Sequence, residues 1–209
     1  MSLEPLGFMV FSTIETFAWY YLSMSLFRYK PNEYTWQALF IILLMNLQSF
    51  VLRNEYDLSY MVPVISILLF TFFYRTVVKI PLIGAFSLTI AGFLIFGIVQ
   101  TALLIAIFGS IAEAMRIPIN GYIGQFSTGV VVIGISHFIY KLRFGFTFDF
   151  EKVRLKSEDI VLLALMFIFL IAITVILFLN EIWLNIIFFT VALSFLLFYA
   201  VIKEKDEFD

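Results

Sequence analysis

The chain has 209 residues, no cysteine and a formal charge of -2, and 63% of it is hydrophobic against 13% charged, with a mean hydropathy of +1.05. A soluble domain carries about 25% charged residues, so a water-soluble globule is excluded. The missing cysteines exclude a disulfide framework, a thiolate metal site and a cysteine nucleophile, and the small net charge implies no charged partner.

The apolar residues come in runs close to the ~20 needed to cross ~30 Å of hydrocarbon as a helix. Read from the N-terminus, with ends set at charges, prolines and interfacial aromatics, they predict an all-α, polytopic transmembrane bundle of about seven helices. The expected spans are 6–27, 36–52, 58–74, 81–108, 121–140, 160–179 and 183–202. Residues 1–202 then form a single transmembrane domain and 203–209 a short charged tail. Met1 to Pro5 lack a basic n-region and no small-residue cleavage site follows the first run, so the first span reads as a retained helix. The two spans flanking Arg53 to Asp57 are short. A shallow helical hairpin is the alternative there, leaving six or five full crossings. The fourth span is long enough to tilt or to extend beyond the bilayer.

Seven crossings put Arg28, Lys30, Arg75, Lys79, Lys141, Arg143, Lys152, Arg154, Lys156, Lys203 and Lys205 on one side and only Arg53 and Arg116 on the other. Cytoplasmic loops near membrane ends carry the basic excess. The expected orientation therefore has the N-terminus outside and the C-terminus in the cytoplasm, in the cell membrane.

Glu15 is the only acidic residue well inside a span, flanked by Ser12, Thr13 and Thr16. An ionisable group there is expensive unless paired, neutralised or hydrated, which makes it a candidate contact for a ligand, cation or proton. The rival reading is a protonated carboxyl that hydrogen-bonds a neighbouring helix and merely fixes packing. At ~1.5 Å per residue, Asn46, Gln48, Gln100 and Gln125 share the outer half of the membrane with Glu15. Together they are the candidate lining of one outward-facing polar pocket. Taken singly, each amide reads more readily as interhelical glue worth around 0.6 kcal/mol; the shared depth of the set is what favours a pocket.

His137 is the single histidine. It has no partner for a metal site, which needs several ligands, and it reads as an interfacial side chain with a pH-sensing role as the alternative. Ser87 with Ala91, and Gly124 with Thr128, form small-xxx-small faces suited to close helix approach. Packing within the chain is preferred there over a homodimer. From Phe144 to Glu151 aromatic residues alternate with small or polar ones, placing the rings on one face of an extended segment. That face suits the membrane interface, with Lys152, Arg154 and Lys156 as anchors to anionic lipid, or else the docking of a cytoplasmic partner. The acidic residues nearby leave no basic patch for nucleic acid.

No phosphate-cradling glycine loop, paired zinc-ligand motif or nucleophile elbow occurs, so neither an enzyme nor a cofactor or metal is expected. The N-out, C-in layout, the Phe/Ile/Leu-rich spans, the short outer loops and the charged exit from Lys203 to Asp209 resemble the membrane sensor region of Gram-positive peptide-pheromone histidine kinases, the accessory-gene-regulator and competence type. The resemblance implies a bundle that binds an extracellular peptide and passes helix movement to a cytoplasmic kinase. The phosphoacceptor His box and ATP-binding glycine boxes of that family are missing from this chain, so signalling would need a separate partner, or the chain is a sensor fragment. The expected function is a non-enzymatic membrane receptor or sensor with a peptide or small molecule as ligand. The alternatives are a small cation- or proton-coupled transporter or channel using Glu15, and a scaffold subunit bound to another membrane or cytoplasmic protein.

Overall fold

Prolines and one left-handed glycine set several of the helix boundaries. Proline lacks an N–H and fits the start of a helix: Pro31 and Pro118 stand in the first turn of their helices and Pro81 immediately before one. Gly109 ends the longest helix with φ 79, a backbone conformation that glycine adopts without a Cβ clash. The computed structural model of the protein describes residues 4–54 and 58–146, and every regular element among them is helical. These are α1 (Glu4–Leu26), a 3-10 turn (Pro31–Tyr34), α2 (Thr35–Asn54), α3 (Met61–Thr76), α4 (Leu82–Phe108), α5 (Ile111–Ala114) and α6 (Pro118–Lys141). The first five expected spans correspond to α1, α2, α3, α4 and α6, with ends moved by a few residues. The spans 160–179 and 183–202, the tail 203–209, and the loop from Thr147 through Lys156 lie outside the described residues.

Three helical stretches, Pro31–Asn54, Leu82–Phe108 and Pro118–Lys141, have the length and apolarity to cross a membrane. Helix α3 has 16 residues, about 24 Å at 1.5 Å per residue, and is shorter than the hydrocarbon layer. Helix α1 is long enough at 23 residues but carries Ser12, Thr13, Glu15, Thr16, Ser23 and Ser25. Its polarity is explained by its position, because it packs against α2, α4 and α6. Residues 22–27 of α1 and the turn after it are all buried.

Side-chain pairings give the helix directions. Phe8 meets Phe50 at 5.5 Å, and the Asn46 amide donates to Thr13 at 3.0 Å, so α1 and α2 are antiparallel. Trp19 meets Phe93 and Glu15 meets Gln100, so α4 also runs against α1. Phe11 stacks on Tyr122 at 5.1 Å while Ile14 lies against Gly129, so α6 runs parallel to α1. A Cβ on Gly129 would stand 2.7 Å from the Ile14 methyl, and one on Gly124 would stand 2.6 Å from Leu104. The small face of α6 thus packs within the chain, because only hydrogen lets the backbones come this close.

The core is an aromatic cluster in one half of the bundle. Trp19 meets Phe70 edge to face at 4.6 Å, Tyr20 and Phe70 stack on Tyr74, and from Gly84 to Gly92 every residue of α4 but the half-buried Ser87 is buried. Such pairs contribute about 0.5–1.5 kcal/mol each beyond area burial. Outside the core the pattern of a soluble protein is inverted. Leu6, Phe40, Leu47, Phe72, Ile105, Ile119, Phe126, Val130 and Phe138 are exposed, whereas Ser12, Ser23, Asn46, Thr71, Thr89, Thr128 and Ser136 are buried. Soluble monomers rarely expose apolar surface on this scale. Together with the three long apolar helices, it marks the chain as a membrane protein.

Candidate functional site

Glu15 is held where three helices meet. On α1, Ser12 and Glu15 are one turn apart and face α4 and α6. Gln100 of α4 donates its side-chain amide to the Glu15 carboxylate. Gln125 of α6 donates to the Ser12 hydroxyl at 3.3 Å and also directs its amide at Glu15. A carboxyl group has about four lone-pair sites. Two amide donors among the described residues leave it further acceptor capacity. These bonds, with that of Gln125 to Ser12, tie α1, α4 and α6 at one point.

Two more groups on this stretch of α6 lack hydrogen-bond partners among the described residues. The Gln125 carbonyl oxygen is one, and the Thr128 hydroxyl one turn further along is the other, both buried. A buried polar atom left unpaired costs about 1–3 kcal/mol, so the α6 side of the junction is incompletely satisfied among those residues. Arg53 adds a positive field. It is seven residues on from Asn46, hence on the same stripe of α2, and its charge acts on Glu15 without forming an ion pair.

The junction sits at the edge of the packed core. Toward the ends where α1, α3 and α6 finish, both α1 and α4 are enclosed. Toward the opposite end, Leu6, Val10, Ile98, Ile105 and Ile119 are exposed. Glu15, Gln100 and Gln125 therefore come together at the edge of the packed core.

Asn46 and Gln48 do not join it. Asn46 is buried and faces another side of α1, donating to Thr13 at 3.0 Å and accepting from Thr16 at 3.1 Å. Those two bonds use its amide as a clamp between α1 and α2. Gln48 lies two residues on, about 200° around a helix of 3.6 residues per turn, and is half-buried with no side-chain hydrogen bond among the described residues. Depth alone united the five residues; direction around each helix separates them. His137 is exposed on α6.

Sequence reasoning missed a second polar group in the closed half. Trp19 Nε1 is buried without a hydrogen bond among the described residues, the buried Tyr74 hydroxyl faces the buried Ser23 hydroxyl, and Thr71 donates to Thr89 at 3.3 Å nearby. The signal was the stripe Ser12, Glu15, Trp19 and Ser23, at intervals of three and four, which marks one face of a helix. The basic residues also gather. Arg28, Lys30, Arg75, Lys79, Lys141 and Arg143, from the ends of α1, α3 and α6 or the turns after them, are all exposed at one end of the bundle. Compared with family models, curated proteins and solved structures, the chain gives no match.

Proposed function

We propose that the chain is a non-enzymatic, multi-pass receptor or sensor of the cell membrane, with about seven crossings, an outside N-terminus and a cytoplasmic C-terminus. The six exposed basic residues at one end of the bundle support this orientation, since cytoplasmic ends carry the basic excess. The function rests on a single observation, the junction of Glu15 with Gln100 and Gln125. A ligand donor or cation that takes up the free acceptor capacity of Glu15 competes with those amides, and so changes how α1, α4 and α6 meet. Helices α1 and α6 run in parallel to the basic end, where the Phe146 N–H donates to the Leu26 carbonyl at 2.8 Å. A shift at the junction is thereby delivered to the cytoplasmic face, where a separate partner would read it. An amphipathic or hydrophobic peptide with a cationic or N–H-rich group suits the exposed apolar residues of the end opposite the basic one and the Glu15 carboxyl, in keeping with the resemblance to peptide-pheromone sensors.

The test is a native mass spectrum of the detergent-purified protein after incubation with spent culture medium, wild type beside Glu15→Gln. A mass retained by wild type and lost in the variant supports the receptor. Folded protein that retains nothing in either sample counts against it.

A second reading, a cation- or proton-coupled transporter, is favoured by the buried polar groups of Trp19, Ser23 and Tyr74, which continue the polar stripe of α1 past Glu15 toward the basic end. It requires flux of protons or alkali cations into sealed vesicles, reduced in Glu15→Gln and Tyr74→Phe. No flux in wild type removes it.

A further inference from the structure

Helices α1, α3 and α6 end in the same device. Each closes with a bond from an N–H to the carbonyl five residues back: Tyr29 to Met24 at 3.0 Å, Ile80 to Tyr74 at 3.1 Å over one extra residue, and Phe144 to Ile139 at 3.1 Å. The residue before each donor is basic and left-handed, with φ 57 at Arg28, 66 at Lys79 and 56 at Arg143. These are the only non-glycine residues at positive φ among those described. Glycine is the usual occupant of this position, because a Cβ is disfavoured there. A cation that merely complements the helix dipole can sit anywhere in the last turn, as Arg75 and Lys141 already do. The left-handed position needs another reason.

At α1 and α6 the two devices are joined. The Phe146 N–H donates to Leu26 O, Phe27 meets Phe146 at 5.6 Å, and Gly145, with φ 152, lies so close to Leu26 O that a Cβ would collide with it. Lys30 lies near enough to Tyr140 to interact with it electrostatically. Arg28, Lys30, Lys141 and Arg143 therefore crowd the joined ends. The acidic residue described at this end, Glu33, is engaged by Lys30 at 2.9 Å. Beside the cations, Leu142 is 60% exposed and Phe144 76% exposed, so charge and apolar surface alternate within three residues.

We propose that the joined ends of α1 and α6 bind the phosphate headgroup of an anionic phospholipid, with Arg28 and Arg143 as its main contacts and Leu142 and Phe144 against its glycerol and upper acyl region. A headgroup layer lies at this depth of a spanning helix, and it offers both chemistries at once. The inference rests on the membrane-spanning reading but not on the ligand of Glu15.

The full chain in detergent is offered equal amounts of phosphatidylglycerol and phosphatidylcholine, and the retained lipids are weighed by native mass spectrometry. Wild type should favour phosphatidylglycerol. Arg28→Gly and Arg143→Gly should each lower that preference about fivefold, the effect of one basic residue at an anionic surface. Their thermal unfolding should be as high as wild type or higher, because glycine suits the left-handed position. Arg28→Lys with Arg143→Lys should keep the preference, and so should Arg53→Gln with Arg116→Gln at the opposite end. Equal retention of both lipids by wild type, or an undiminished preference in the double-glycine variant, overturns the lipid site. Release of the chain from membranes by alkaline carbonate would instead remove the membrane-spanning reading beneath it.

Discussion

Gln100 of α4 donates its side-chain amide to Glu15 of α1, joining two antiparallel helices at the edge of the packed core through one side-chain hydrogen bond. An intramolecular hydrogen bond contributes about 0.5–1.5 kcal/mol, and interhelical bonds in membranes average about 0.6 kcal/mol. A double-mutant cycle of Glu15→Gln and Gln100→Leu, read by thermal unfolding in detergent, should give a coupling of about 1 kcal/mol or more. Additive single effects would mean that the two side chains are only neighbours.

Asn46 is expected to behave as a clamp and not as part of the site. Asn46→Leu removes the bonds to Thr13 and Thr16 and leaves both hydroxyls with only their own helix carbonyls. A loss of about 1 kcal/mol in stability should follow, with retention of any mass bound at Glu15 unchanged. Gln48→Leu should be near neutral in both measurements.

Close packing of α1 on α6 makes Gly129 intolerant of a side chain. Gly129→Val puts a branched carbon into the Ile14 methyl and the α1 backbone, and overpacking costs about 1–3 kcal/mol. A thermal shift of that size should appear for Gly129→Val and be absent for Gly134→Ala, since a Cβ at Gly134 meets nothing within 4 Å.

Orientation is directly accessible because the chain has no cysteine of its own. Single substitutions Met115→Cys and Asn32→Cys stand at opposite ends of the bundle, and both positions are exposed. In intact cells a membrane-impermeant maleimide should label the first and spare the second until the membrane is opened. The reverse pattern would invert the proposed topology.

Hydropathy and charge in the sequence sufficed to locate α1, α2, α3, α4 and α6 and to sort their basic residues to one end. Both properties depend on position along the chain: a run of apolar residues is a length, and a loop charge has a side. The prominence of Glu15 was equally legible, since one carboxyl among apolar neighbours stands out without any partner being known. Which residues share a site was a different matter. Gln100 and Gln125 reach Glu15 while Asn46 turns to Thr13 and Thr16 and Gln48 away from both, because angle around each helix, and not depth, decides which side chains meet. Only the packed bundle supplies that angle. The buried polar group of Trp19, Ser23 and Tyr74, and the left-handed basic caps at Arg28, Lys79 and Arg143, likewise belong to the tertiary structure. The stripe on α1 marks one face of that helix but not that Tyr74 of α3 meets it, and the caps depend on a backbone angle at one residue, which leaves no period in the sequence.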